Sequence, residues 1–206
     1  MADTQAVIFD LGGVVIDWNP NYLYRKIFGT DQAKIDWFLR EICPSEWNEK
    51  QDAGRSLAIA TEERVAAHPE WEMPIRAFYE RWVEMLGGPI AGTADIMREL
   101  SAAGLPLYAL SNWSAETFPM ARARFDELSL FKKMFVSGEY GMAKPDERFY
   151  RIAFDGIGLP IENLVFIDDN LQNIAAAERL GLRSLVFTDA RTLRRDLRAL
   201  GLAITP

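Results

Sequence analysis

One cysteine and one histidine are all that the 206 residues offer in those two types. Cys43 has no partner for an internal disulfide, and His68 alone cannot build a His-rich zinc centre, so zinc hydrolysis is set aside. Positive charge is also short. The 23 Lys and Arg against 30 Asp and Glu leave a net charge of −7, without the basic excess that neutralises a nucleic-acid backbone, and no nucleic-acid partner is expected. Long apolar runs are missing too. The run from Leu11 to Ile16 is too short to span a bilayer, and Asp3 and Asp10 precede it where a secretory leader would carry positive charge. A cytoplasmic protein with no membrane partner is expected. Internal repeats and low-complexity segments are absent, and no pattern in the sequence fixes an oligomeric state. What is present is a 49% hydrophobic fraction, enough to bury the core of one domain carrying a modest insertion.

Ala6-Val7-Ile8-Phe9 is a short apolar run that stops at Asp10 before Gly12-Gly13. It predicts a buried strand ending in a tight turn, with Asp10 at the strand's carboxyl edge. The same grammar recurs at 107–110 before Ser111-Asn112, at 164–167 before Asp168-Asp169-Asn170, and at 184–187 before Thr188-Asp189, with a weaker fifth strand at 134–137. Helical spacing covers 92–103, 115–127, 146–157 and 171–180, the last closed by Gly181 as a C-terminal cap. Strands alternating with helices predict an α/β fold, a doubly wound parallel sheet with helices on both faces.

Residues 18 to 90 break that rhythm, being rich in aromatic and charged residues at helical spacing with no convincing strand. They predict an inserted helical cap, whose aromatics, among them Tyr24, Phe38, Trp47 and Phe78, form its own core. Gly87-Gly88-Pro89 reads as the turn that ends it. The expected division is 1–17 and 89–206 for the core and 18–88 for the cap. Trp18, Arg25 and Arg55 are candidates for contacting a substrate.

In an open parallel sheet the ligand site lies beyond the carboxyl ends of the strands, where strand order reverses. The predicted strands bring Asp10, Ser111 with Asn112, and Asp168 with Asp169 to that edge, and the loop 141–146 adds Lys144. A carboxylate that attacks, a hydroxyl and a cation that bind an anion, and an acid pair that holds a divalent cation describe phosphoryl transfer. Taken singly these residues have ordinary readings: Asp168-Asp169 as a helix cap, Ser111 as a strand-to-helix turn, Lys144 as a solvated loop charge. Their order and common edge promote them.

In order, Phe9-Asp10-Leu11-Gly12-Gly13-Val14-Val15, Leu110-Ser111-Asn112, Lys144-Pro145-Asp146 and Phe166-Ile167-Asp168-Asp169-Asn170 resemble the motifs of the haloacid dehalogenase superfamily, in its subgroup with a helical cap after the first strand. The resemblance implies a Rossmann-like core and a catalytic set of Asp10, Ser111 and Lys144. Asp10 would be the nucleophile, and Ser111, Asn112 and Lys144 would bind substrate. Asp10, the Gly12 carbonyl, Asp168 and Asp169 would hold Mg²⁺. A small phosphorylated substrate follows, and the Asp-Leu-Gly start with the Asp-Asp-Asn end resembles the glucose-1-phosphate phosphatase branch.

Phosphatases of the superfamily carry an acid two residues after the nucleophile, as proton donor to the leaving group. Here that position is Gly12, and Asp17, Glu116 or a metal-bound water are the candidates to replace it. Two alternatives stay open: a 2-haloacid dehalogenase, whose halide needs no proton, and a non-catalytic Mg²⁺- and phosphate-binding regulatory module. Ser111 lacks the Gly-x-Ser-x-Gly surroundings of a nucleophile, and Gly12-Gly13 is no dinucleotide fingerprint. His68 reads as a helix end, Cys43 as a small hydrophobe, and Arg191, Arg194, Arg195 and Arg198 as a solvated helix face.

Overall fold

A computed structural model describes residues 3–205. The chain opens with β1 (Ala6–Phe9), β2 (Ile16–Trp18), α1 (Asn21–Phe28), α2 (Gln32–Trp37), α3 (Ser45–Asp52), α4 (Leu57–Ala67), α5 (Glu72–Glu80) and β3 (Leu86–Pro89). The remainder runs α6 (Thr93–Ala102), β4 (Leu107–Ser111), α7 (Phe118–Arg122), β5 (Phe131–Val136), α8 (Ser137–Tyr140), α9 (Glu147–Ile157), β6 (Leu164–Asp168), α10 (Leu171–Arg179), β7 (Arg183–Val186) and α11 (Ala190–Ala199).

The main sheet is all parallel in the order β5-β4-β1-β6-β7. Its central strand is apolar throughout because both faces are covered. Val7 and Phe9 belong to one buried cluster with Ala109, Val165 and Ile167, whereas Ala6 and Ile8 belong to a second with Leu110 and Phe166. Helix α9 shows how a helix joins this arrangement. Phe149, Tyr150, Ala153 and Phe154 lie along one stripe and pack into the second cluster, while Asp146 caps its first turn by accepting from the Arg148 amide at 2.9 Å. Helix α10 ends as its sequence predicts. Gly181 takes φ +84°, and the Leu182 amide reaches back to the Ala177 carbonyl at 3.1 Å.

Several expectations need correction. The segment 115–127 is not one helix: α7 covers only Phe118–Arg122, and a tight turn of helix follows at Asp126–Leu130. Pro119 fits only the first turn, because it has no amide to donate further in. The insertion also contains strand at both ends. β2 and β3 pair antiparallel, with Ile16 opposite Pro89 and Asp17 opposite Gly88, so Gly87-Gly88-Pro89 is an extended segment and not a turn. Its residues have little intrinsic strand preference. Close approach selects glycine instead, because a Cβ at Gly87 would lie 2.8 Å from the Tyr22 ring. The fifth strand begins earlier than its apolar run, at Phe131, and the last strand is displaced by one residue.

Between the strands of that ribbon the chain forms the helical cap. Its aromatics make a continuous core: Tyr24 lies 4.7 Å from Phe38 between ring centres, Trp47 lies 5.2 Å from Phe78, and Phe28, Trp71 and Tyr79 extend the cluster. His68 caps the end of α4. Cys43 is buried beside this core, and burial pushes its thiol up to about 12, which suits an inert packing residue.

Candidate active site

The order of the sheet reverses around β1, with β4 on one side and β6 on the other. The carboxyl ends of these three strands are therefore where a ligand site is expected. Asp10 follows β1, Ser111 ends β4, and Asp168 ends β6. Backbone geometry fixes them: the Asp10 amide donates to the Ile167 carbonyl at 2.8 Å, and the Leu11 amide returns to Asp10 Oδ1 at 2.7 Å.

Lys144 enters this edge from the loop before α9 with its side chain fully buried. Its Nζ lies 2.6 Å from Asp168 Oδ2 and 3.1 Å from Asp10 Oδ2. Asn112 holds that loop in place. Its Oδ1 accepts from the Lys144 amide and its Nδ2 donates to the Lys144 carbonyl, both at 2.8 Å. Asp168 accepts from the Asn170 amide at 2.8 Å and from Asn173 Nδ2 at 3.1 Å, so the start of α10 aims this carboxylate. Asn173 escaped the sequence reading, since an Asn three residues beyond a motif carries no signal of its own.

Carboxylate oxygens of Asp10, Asp168 and Asp169 lie within 4.8 Å of one another. Burial raises the Asp10 carboxyl to about 7, with Lys144 pulling it down and Asp168 pushing it up. Burial pulls the Lys144 ammonium down, but Asp10 and Asp168 outweigh it and hold it above its ordinary value. Burial and Asp168 also raise Asp169. An all-oxygen set strained in this way fits a hard divalent cation, and the backbone leaves room for it. Gly13 takes φ +76°, and a Cβ there would fall 3.0 Å from the Asp169 carboxyl carbon.

A cavity of about 260 Å³ opens beside Asp10, lined among others by Gly12, Trp18, Asp52, Trp82, Ser111 and Trp113. The Ser111 hydroxyl is close enough to help lower the Asp10 pKa, yet makes no hydrogen bond among the described residues, and the Trp113 indole N–H is likewise unpartnered. Both side chains line the cavity, where an oxygen of a bound ligand or water would satisfy them. A Cβ at Gly12 would meet nothing within 4 Å.

Asp10, Gly12, Ser111, Asn112, Lys144, Asp168 and Asp169 thus meet at one edge, and Trp18 joins them through the cavity wall. The other sequence candidates do not. Arg25 bonds to Gln32 on the surface, and Arg55 pairs with Glu63 beside a separate surface cleft. Asp17 accepts from the Tyr22 hydroxyl at 2.5 Å and Glu116 from the Leu57 amide at 2.9 Å, and neither lines the cavity. Arg55 is drawn away by an ion pair, and Arg25, Asp17 and Glu116 are held by neutral hydrogen-bond partners.

A parallel sheet with a helical cap, and acids, a lysine and a serine gathered at its carboxyl edge, define a capped α/β hydrolase. The family model for haloacid dehalogenase-like hydrolases matches residues 4–181, and the chain belongs to that family. Drimenol cyclase drtB of Aspergillus calidoustus is 38% identical over 101 residues, which is 49% of this chain and only 19% of that protein. Sesquiterpene phosphatase astK of Aspergillus oryzae is 31% identical over 200 residues, 95% of this chain and 96% of that one. An (S)-2-haloacid dehalogenase of Pseudomonas putida is 34% identical over 93 residues, 45% of this chain and 41% of the dehalogenase. These similarities extend to the family and do not single out the glucose-1-phosphate phosphatase branch. No helix among the described residues is long and apolar enough to cross a membrane.

Proposed function

We propose that this protein is a Mg²⁺-dependent phosphomonoester hydrolase that acts on a small phosphorylated metabolite through an aspartyl phosphate on Asp10. The observation that carries the reading is the oxygen cluster of Asp10, Asp168 and Asp169 with Lys144 wedged against two of its members. Asp10 is the nucleophile, Ser111 and Lys144 hold the transferring phosphoryl oxygens, and Asn112 keeps Lys144 in position. Asp10, the Gly12 carbonyl, Asp168 and Asp169 would hold Mg²⁺. Bound there, the cation neutralises the charge of the phosphoryl group that a carboxylate must approach. Core and cap divide at the β2–β3 ribbon, as residues 1–17 and 89–206 against 18–88.

The dehalogenase alternative fits the cluster less well. A 2-haloacid is an anion, and without a cation Asp168 and Asp169 would repel it as it approached Asp10. A regulatory phosphoacceptor has little use for a cavity of about 260 Å³ walled by tryptophans beside its acid. That wall of Trp18, Trp82 and Trp113, with the full-length similarity to a sesquiterpene phosphatase, favours the monophosphate of an apolar alcohol over the sugar phosphate implied by the Asp-Leu-Gly start.

The test is a screen of purified protein over prenyl, sugar and aryl phosphates and 2-haloacids, with Mg²⁺ or with a chelator. Mg²⁺-dependent release of phosphate is expected, highest on prenyl phosphates, and Asp10→Asn abolishes it. Dehalogenation that survives chelation would replace this reading with the alternative.

A further inference from the structure

Gly12 leaves the phosphatase reaction without a proton donor in the usual place, and neither Asp17 nor Glu116 reaches the cavity. Among the described residues three carboxyl groups line it: Asp10, Asp169 and Asp52. The first two belong to the oxygen cluster. Asp52 stands apart, on the cap side, as the last residue of α3.

We propose that Asp52 is the missing catalytic acid, protonating the leaving-group oxygen from the cap side of the cavity. This rests on the phosphatase reading. In the first half, an Asp10 oxygen bonds to phosphorus while the bond to the leaving oxygen breaks. That oxygen keeps the electron pair and takes the proton of Asp52, giving the alcohol, the aspartyl phosphate and an Asp52 carboxylate. In the second half, water attacks the phosphorus and gives one proton to Asp52. Hydrogen phosphate leaves, and Asp10 and Asp52 return to their starting forms.

Three features of the structure support the assignment. Asp52 is aimed: Asn48 Nδ2 donates to its Oδ2 at 2.9 Å, and the Tyr79 hydroxyl fixes the Asn48 amide by donating to Oδ1 at 3.0 Å. Its backbone is anchored to the core, since Ser137 Oγ donates to the Asp52 carbonyl. It also holds its proton more tightly than an ordinary carboxyl. Burial raises its carboxyl to about 7, and Glu49 and Asp10 push the same way against a backbone hydrogen bond from Ser114. Tyr79 faces it through Asn48, and the carbonyl end of α3 adds partial negative charge. An acid poised near neutrality is matched to donate one proton and take one back in each cycle.

The experiment measures kcat/KM, which reports the phosphorylation half, for 2,4-dinitrophenyl, phenyl and ethyl phosphate with Mg²⁺. Dinitrophenolate leaves without help and ethoxide does not. Asp52→Asn is expected to lower the ethyl phosphate value by about 10²–10³-fold and to leave dinitrophenyl phosphate within about threefold. A parallel loss on all three substrates in a folded variant, or no loss, overturns the proposal. A second measurement needs no variant. Above pH 7, where both substrates are dianions, the wild-type value should fall with pH for ethyl phosphate and not for dinitrophenyl phosphate. Identical profiles overturn the assignment while the phosphatase reading stands. A wild-type protein that cleaves none of the three, dinitrophenyl phosphate included, overturns both.

Discussion

Lys144 sits fully buried with its ammonium against two carboxylates, so its removal leaves uncompensated charge inside the protein. Lys144→Ala should destabilise the fold by about 3–5 kcal/mol, the usual cost of breaking a buried ion pair from one side. Urea denaturation measures this. Mg²⁺ should raise the melting temperature of the variant more than that of the wild type, because the cation takes over part of the lost neutralisation. Equal shifts would mean that the cation binds away from Asp10 and Asp168. Asp52 carries the opposite signature. Its folded pKa of about 7 lies above the ordinary 3.8, so the folded state holds the proton more tightly than the unfolded one. The resulting stability is complete below pH 4 and lost as pH rises to 7. Asp52→Asn should therefore match the wild type at pH 4 and be more stable than it at pH 8, by roughly 1–2 kcal/mol after screening of a half-buried group. A variant less stable than wild type at pH 8 would show that the carboxylate is structural. Residues retained at a cost in stability are a mark of function.

At the scale of elements, the turn between β1 and β2 is where backbone and chemistry are tied most closely. Gly13 takes φ +76° there, and a Cβ would strike the Asp169 carboxylate. Gly13→Ala should cost about 1–2 kcal/mol in stability from the left-handed backbone alone. By displacing Asp169 it should also weaken Mg²⁺ binding, which calorimetry reads independently of turnover. Unchanged affinity would remove Asp169 from the metal set. This turn was legible in the sequence, because an apolar run that stops at Asp10 before two glycines has few other readings. The strands β4 and β6 were legible for the same reason: burial on both faces writes them as unbroken apolar runs. β2 and β3 were not. Their pairing comes from the geometry of the cap junction and leaves Gly-Gly-Pro in an extended segment, against its local preference. Asp52 was hidden differently. Within Asn48-Glu49-Lys50-Gln51-Asp52 it looks like one more solvated helix charge, and only the closure of the cap over Asp10 turns that residue toward chemistry.

Across the whole molecule, function depends on how the cap meets the core. The Leu57 amide at the start of α4 donates to Glu116 at 2.9 Å, Ser137 holds the Asp52 carbonyl, and Trp82 meets Trp113 edge to face at 5.3 Å between ring centres. The Ser137 contact holds Asp52 directly, and the two tryptophans form part of the cavity wall. The Glu116 contact is exposed, so it can break without disturbing either buried core. Glu116→Ala should release the start of α4 and the segment 53–57, because little else on the core side holds that amide. A hydrogen bond of this kind is worth about 1 kcal/mol net, so amide exchange at Leu57 should become about fivefold faster, with exchange in the central sheet unchanged. If cap position places the Asp52 acid, ethyl phosphate hydrolysis should fall with it, while dinitrophenyl phosphate, which needs no acid, is spared. Faster exchange with an unchanged ratio of the two rates would show that cap opening and proton donation are separate properties. Unchanged exchange would show that the Glu116 contact does not hold the cap closed in solution.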